Sequence, residues 1–98
     1  MTAFFVSRIK VSDPAKMKEY AQAAGATVGA HGGKLVLRGD FAKTLIGESA
    51  DNHITAIVEF PDLATLDVWF NSPEYQSLNA LRDSAGEMQF VAYEVPAA

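Results

Sequence analysis

Apolar and polar positions along the chain follow two periods, and these predict the order strand, helix, strand, strand, helix, strand. The first strand is predicted over residues 3–11, which are rich in β-branched and aromatic types. Both of its faces carry bulky apolar side chains, with Phe5 and Ile9 on one and Phe4 and Val6 on the other. This pattern is typical of a strand that is covered on both sides.

The first helix is predicted to begin at Asp13-Pro14, because the aspartate can accept hydrogen bonds from free backbone N–H groups and proline fits the first turn. Its second half contains two glycines, so we expect it to kink or fray there. Gly32 and Gly33 are predicted to end the helix in a turn. The apolar residues that recur at helical spacing are Met17, Tyr20, Ala21, Ala24 and Val28.

Two further strands are predicted in the middle of the chain, over residues 35–38 and 54–60. Between them, residues 44–47 are expected to pair as a short extension of the sheet. Residues 49–52 are polar and predict a turn.

A second helical region is predicted to start at Asp62 and to be interrupted at residues 71–73, since proline disfavours a helical residue before it. A new helix is expected over residues 73–85, with Gly86 ending it, and a last strand over residues 88–95. The residues expected on the buried side of these helices are Leu63, Leu66, Trp69, Phe70, Tyr75, Leu78, Leu81 and Ala85.

Right-handed crossovers fold this order into an α+β, ferredoxin-like βαββαβ arrangement, with a four-stranded antiparallel sheet and both helices on one face. We expect one domain over residues 1–98. The helices cannot cover the second face of the sheet, which predicts a homodimer packed sheet against sheet. The apolar residues assigned to that second face are Phe4, Val6, Val36, Ile57 and Phe90.

Four charged strand residues are assigned to the same second face, and charges between two sheets must be paired. They predict a network of ion pairs at the interface. These residues are Arg8, Arg38, Glu59 and Glu94.

Composition narrows the range of partners. The net charge is −4 and the eight basic residues are scattered singly, so no nucleic-acid partner is expected. The absence of cysteine excludes disulfides, zinc-thiolate sites and thiol catalysis. No stretch approaches the about 20 apolar residues of a membrane span, and the first eight residues do not resemble a signal peptide. We expect a cytoplasmic protein without a membrane partner.

Three stretches carry a resemblance to a known family: VSDPAKMKEYAQAA, AHGGKLVLRG and AIVEFPDLATLDVWFNSPEYQSLNALRDSA. Together they resemble the small bacterial proteins grouped as domain of unknown function 1330, over nearly the whole chain. That family is similar to the dimeric α/β-barrel superfamily, in which two ferredoxin-like subunits press their sheets together. The superfamily includes cofactor-independent monooxygenases that act on polyketide quinols, haem-degrading enzymes, muconolactone isomerases and stress-responsive proteins. The resemblance implies a dimer with a ligand cleft between the sheet and the helices of one subunit, and it leaves the reaction open.

His31, before the two glycines, has two interpretations. A catalytic base needs a partner that orients its ring, and an esterase loop needs a G-x-S-x-G nucleophile motif, which the sequence lacks. The alternative is a histidine near a helix C-terminus that interacts with free carbonyl groups. His31 stays a ligand-binding candidate as a residue of the cleft wall.

Trp69, Asn71 and Tyr75 surround the predicted helical break. The two aromatic side chains offer flat apolar walls together with an N–H and an O–H group, which suits an aromatic ligand. The alternative is that both are core residues with satisfied polar atoms, and that Asn71 only starts the next turn.

Arg38 and Arg82 are the cationic candidates. Arg82 follows Tyr75 by seven residues and is expected on the same helix face. Two guanidinium groups at the edge of an apolar cleft could hold a carboxylate or a phenolate. Alternatively, Arg82 pairs with a carboxylate, such as Asp83 of another subunit or Glu59.

No metal site and no cofactor are expected. The sequence has two histidines, His31 and His53, and neither HxH nor HExxH spacing. A haem ligand is the weakest alternative.

Two hypotheses of different classes follow. The first is a small-molecule binding protein with cofactor-independent monooxygenase or isomerase activity on an aromatic or lactone-type compound. Trp69 and Asn71 would then orient substrate and oxygen, and Arg82 would stabilise the developing anion. The second is a non-catalytic stress-related or structural homodimer whose cleft is filled by its own side chains. The sequence does not decide whether the protein is an enzyme.

Overall fold

A computed structural model describes residues 1–48 and 53–96 of the chain. The strands are β1 (Ala3–Val11), β2 (Lys34–Asp40), β3 (Ile54–Phe60) and β4 (Gly86–Glu94). The helices are α1 (Pro14–Ala30), α2 (Leu63–Phe70), α3 (Pro73–Gln76) and α4 (Asn79–Ala85). The turn predicted at residues 49–52 lies outside the described residues. No helix in the described ranges is long and apolar enough to cross a membrane.

The four strands form one antiparallel sheet in the order β2-β3-β1-β4. This order and the position of the helices confirm the ferredoxin-like α+β fold. Side chains of β1 and β3, among them Phe5, Val58 and Phe60, pack in one cluster with side chains of the helices. We call this helix-covered side of the sheet the inner face and the opposite side the outer face.

Helix α1 begins as the sequence predicts, with Asp13 accepting a hydrogen bond from the backbone N–H of Lys16 (3.1 Å). The predicted kink is wrong, because the helix runs unbroken to Ala30. It ends in a Schellman motif in which the N–H of Gly32 bonds to Gly29 and the N–H of Gly33 bonds to Val28. Gly32 has a φ of 79°, a left-handed conformation that glycine adopts without strain.

The single helix predicted over residues 73–85 is wrong, since α3 and α4 are separate. The hydroxyl of Ser77 donates to the carbonyl of Glu74, and the amide of Asn79 donates to Gln76. Such local side-chain bonds compete with a regular helix at this point. Gly86 starts β4 in an extended conformation, and a Cβ there would meet the backbone of Lys10.

Strand β2 lies at one edge of the sheet and contains a bulge. Leu35 pairs with Val58, and Leu37 pairs with Ile57, so Val36 is the extra residue. The predicted extension at residues 44–47 is wrong, because the pairing of β2 with β3 ends before it and residues 41–48 form no strand.

The register of the sheet corrects three assignments to the outer face. Phe90 lies opposite Ser7, and Glu94 lies opposite Ala3, so both belong to the inner face. Arg38 lies opposite Ala56 and is also on the inner face. A strand has two equivalent faces in its sequence pattern, and only the pairing with a neighbour decides which one is inner.

Of the other apolar residues predicted for the outer face, all but Val36, the unpaired bulge residue, keep that position. Phe4, Val6 and Ile57 lie there, and β4 adds Val91 and Tyr93, whose ring stacks on Phe4 at 5.5 Å between centroids. All five are partly or fully accessible. Of the charged residues predicted there, Glu59 pairs with Lys34, whereas Arg38 pairs with Asp40 on the inner side and so cannot join an ion-pair network on the outer face.

Candidate functional site

A cleft of about 680 Å³ lies between α1 and the inner face of the sheet. It exists because the side of α1 that lines it carries small residues, so the helix leaves space above the strands. These small residues are Ala21, Ala24, Gly25 and Gly29. The floor is formed by β1 and β3, with Phe5, Ile9 and Val58 among its apolar side chains.

Few polar groups reach the interior of this cleft. Ser7 is almost fully buried on its floor, and its hydroxyl donates to the carbonyl of Ala56 (3.2 Å). A buried hydroxyl that already has an acceptor in the sheet offers a ligand mainly its oxygen lone pairs. The interior is therefore suited to a compact and largely apolar molecule.

Three cationic residues are among those that line the cleft, and two of them are paired with carboxylates. Lys18, Lys34 and Arg38 contribute to its lining. Lys34 forms an ion pair with Glu59 (3.9 Å) and Arg38 with Asp40 (3.5 Å), while Lys18 makes no ion pair with another described residue. The exposed pairs contribute little to stability and leave their cations accessible.

Trp69 closes one side of the cleft. Its ring is almost completely buried and stacks on Phe5, with 5.2 Å between centroids and 7° between planes. Its indole N–H donates to the hydroxyl of Thr27 on α1 (2.9 Å). Trp69 thus offers a ligand an apolar surface, and its polar atom is already bonded.

Tyr20, Tyr75 and Arg82 form a hydrogen-bonded chain beside this wall. The hydroxyl oxygens of Tyr20 and Tyr75 are 2.7 Å apart, and Nη1 of Arg82 donates to the Tyr75 hydroxyl (3.3 Å). Burial raises the pKa of Tyr20 well above its ordinary value. Partial burial of Arg82 disfavours its charge, but the bond to Tyr75 and the charges of Tyr75 and Asp83 outweigh this, so its pKa is raised.

Arg82 also borders a second, smaller cavity of about 270 Å³, together with Phe70, Met88 and Phe90. Its Nε lies 3.4 Å from a carboxylate oxygen of Asp83 in the same chain. The pairing with Asp83 that the sequence left open therefore occurs within one subunit.

His31 caps α1 and lines neither cavity. Its Nδ1 is 2.8 Å from the carbonyl oxygen of Thr27, which is the structural interpretation weighed for this residue. Asn71 caps α2 in the same manner, with its amide donating to the carbonyl of Asp67 (2.9 Å), and it is exposed.

The six candidates thus separate into groups. Arg38 and Trp69 line the large cleft, and Tyr75 and Arg82 reach it only through Tyr20. His31 and Asn71 lie outside it. Ser7 and Tyr20, which also line the cleft, were not among the site residues predicted from the sequence. Both are polar residues in otherwise apolar stripes, and this is the signal that could have found them.

The described residues contain no group of three or more histidine, cysteine, aspartate or glutamate side chains that could hold a metal ion.

Comparisons with known proteins give a family and a fold. The model of the family described as domain of unknown function (DUF1330) matches residues 2–95. No curated protein matches the sequence significantly. Among solved structures, the RPA0582 protein of unknown function from Rhodopseudomonas palustris is 18% identical, with a TM-score of 0.80 over 99% of this chain and 84% of that one.

Two further structures are similar. The cofactor-independent oxygenase SnoaB from Streptomyces nogalater is 14% identical, with a TM-score of 0.72 over 99% of this chain and 95% of that one. A dimeric ferredoxin-like protein of unknown function from Jannaschia sp. CCS1 is 14% identical, with a TM-score of 0.65 over 97% of this chain and 100% of that one. At these identities the similarity shows the fold.

Proposed function

Because the chain belongs to the DUF1330 family, whose description leaves the activity open, we propose a function from the geometry of the cleft. The protein acts as a homodimer that binds a small aromatic or lactone-type molecule between α1 and the sheet of each subunit. In the enzymatic form of this proposal, the protein also converts the bound molecule in a cofactor-independent monooxygenase or isomerase reaction.

The size and lining of the cleft carry the proposal. Its volume of about 680 Å³ falls within the range of ligand sites, roughly 300–1,000 Å³. The buried aromatic residues Phe5 and Trp69 contribute to its apolar lining, which suits an apolar aromatic ligand. The cations among the lining residues favour a ligand with an electronegative substituent.

Two observations support the enzymatic form. A similar structure is described as a cofactor-independent oxygenase, and this chain has a comparable fold. In addition, the guanidinium of Arg82 is linked to the cleft through Tyr75 and Tyr20, so it can stabilise negative charge on a ligand next to Tyr20. Asn71 has no role in the enzymatic form of the proposal, because its side-chain amide donates to the carbonyl of Asp67 in its own helix.

The homodimer is supported by the outer face of the sheet. Phe4 and Tyr93 stack there, and Val6, Ile57 and Val91 lie beside them with no helix above. Contiguous apolar surface of this kind marks an interaction site. Similar folds are described as dimeric, which favours a second copy as the cover.

A cleft-filling variant tests the binding site. Ala56→Phe places a ring on the floor of the cleft, whereas Ala80→Phe adds the same ring on the exposed side of α4. Using quenching of the fluorescence of Trp69, we expect indane and 1-indanone to bind the wild type and Ala80→Phe, and to lose most of their affinity in Ala56→Phe. Equal binding to all three proteins would contradict the site.

One observation favours the non-catalytic alternative. Trp69 and Tyr75 are almost completely buried, and their polar atoms are bonded within the chain, as in a packed core. The enzymatic and non-catalytic alternatives can be distinguished with a panel of aromatic quinols and lactones. The compounds are incubated with the protein under air and analysed by mass spectrometry. Product formation that is lost in Ala56→Phe supports the enzyme, and binding without product supports a carrier or structural dimer.

A further inference from the structure

The chain of Arg82, Tyr75 and Tyr20 contains two hydroxyl protons, and their positions are determined by the partners that each oxygen has. Arg82 has only donors, so the oxygen of Tyr75 must accept from it. One hydroxyl proton lies in the short bond between the two tyrosines. The other proton belongs to whichever tyrosine accepts in that bond, and it needs an acceptor of its own.

Tyr75 cannot hold that second proton favourably. Its side chain is completely enclosed, and the described residues provide no further acceptor for its hydroxyl. If Tyr20 donated to Tyr75, the Tyr75 proton would be buried without a partner, which is an expensive arrangement. Tyr75 therefore donates to Tyr20.

Tyr20 differs from Tyr75 in its surroundings. It lies on the sheet-facing side of α1, it lines the large cleft, and a small part of it remains accessible. When Tyr75 donates to it, Tyr20 keeps a hydroxyl proton for which the described residues offer no acceptor. All donors in the chain then point in one direction, from Arg82 through Tyr75 to Tyr20.

We propose that Tyr20 donates a hydrogen bond into the cleft and thereby selects ligands that carry a carbonyl or phenolate oxygen at its inner end. This inference rests on the proposed ligand-binding function and deepens it by naming the group that the ligand must present. The Arg82 guanidinium polarises both hydroxyls, so the bond strengthens as negative charge develops on the ligand oxygen.

The ionisation state of Tyr20 agrees with a donor role. Burial raises its pKa, so the hydroxyl stays protonated at neutral and moderately alkaline pH.

The test compares two ligands of almost equal shape, 1-indanone with its carbonyl and indane without it. We expect the wild type to bind 1-indanone about tenfold more tightly than indane, which is the value of one good hydrogen bond. In Tyr20→Phe this preference falls close to unity while the affinity for indane is unchanged. Tyr93→Phe, which removes a hydroxyl on the outer face, keeps the preference.

A second measurement uses the unmodified protein and so does not depend on the folding of a variant. The infrared carbonyl stretch of bound 1-indanone is expected at lower wavenumber than in hexane, because the carbonyl accepts a hydrogen bond. A stretch at the hexane position, or a Tyr20→Phe variant with the full preference, would overturn the inference and leave the binding site intact. Failure of both ligands to bind would overturn the proposed function, and this inference with it.

Discussion

Gly33 follows the turn that ends α1, and the space around it explains why no side chain is tolerated. A Cβ at this position would lie 2.6 Å from Cε1 of Phe60 and 2.8 Å from Cγ1 of Val28. Both contacts are with buried core side chains, which have little freedom to move. Gly33 thus allows the start of β2 to approach the core closely.

Gly33→Ala is therefore expected to lower the free energy of unfolding by about 1–3 kcal/mol through overpacking. Gly25→Ala is the matched control, because it lies inside α1 and a Cβ there meets nothing within 4 Å. We expect Gly25→Ala to stabilise the protein by roughly 0.5–1 kcal/mol through helix propensity. Urea unfolding measures the change in the free energy of unfolding for both variants. Equal changes would contradict the crowding around Gly33.

Residue roles could be predicted where local chemistry decides them. The cap at Asp13, the turn at Gly32 and the carbonyl contact of His31 all depend on neighbours within a few positions of the sequence. The roles of Gly33 and Tyr20 depend on Phe60 and Tyr75, which are distant in sequence, so no local pattern contains them.

At the scale of elements, α1 and α2 are joined by one buried polar contact. The indole N–H of Trp69 donates to the Thr27 hydroxyl, which itself donates to the carbonyl of Ala24 (2.7 Å). Because Trp69 is also stacked on β1, this contact determines how α1 sits over that part of the sheet.

Thr27→Val keeps the shape of the side chain and removes its oxygen, so the buried N–H of Trp69 loses its acceptor. We expect a loss of about 1–3 kcal/mol in the free energy of unfolding. In a Trp69→Phe background the same substitution should cost less, because no N–H remains to be left unpaired. Thr44→Val, at an exposed loop position, is the control and should change little. An equal cost in both backgrounds would contradict a direct coupling.

Element order was predictable because apolar spacing differs between helix and strand. The break between α3 and α4 was not, since it depends on side-chain hydrogen bonds of Ser77 and Asn79 that compete with the helix. The inner position of Phe90 was not predictable either. Its ring stacks on Phe5 at 4.9 Å between centroids, a contact set by the register of β4 against β1.

At the scale of the whole molecule, the sheet has one face covered by helices and one face without them. Val91 lies on the outer face, on the edge strand β4 opposite Val6, whereas Val68 is an exposed valine on α2. The two residues have the same side chain, and they differ in the surface on which they lie.

Val91→Lys is expected to dissociate the proposed homodimer, because in that dimer it would bury an unpaired charge between two sheets. Val68→Lys should leave the dimer intact. Sedimentation velocity at micromolar concentration distinguishes the two outcomes, and circular dichroism checks that each variant is folded. A wild type that sediments as a single chain would contradict the dimer.

The cleft illustrates what a sequence pattern leaves out at this scale. Trp69 was a candidate for ligand contact, with a packed core residue as the alternative, and the structure buries it almost completely beside the cleft. The position of the cleft itself depends on small residues of α1, such as Ala24 and Gly25, which leave space above the strands. A gap in the packing leaves no periodic signal in the sequence. The spacing of apolar residues therefore shows which residues are buried, but it does not show where the packing is incomplete.

The bulge in β2 has a consequence for how relatives of this chain are aligned. Because Val36 is an inserted residue, Leu35 and Leu37 point to opposite sides although they are two positions apart. A homologue that lacks this one residue would still present the same neighbours to the same sides, with a straighter edge strand. A single-residue gap here therefore changes the curvature of the strand and preserves which of its side chains lie on the inner face and which on the outer face.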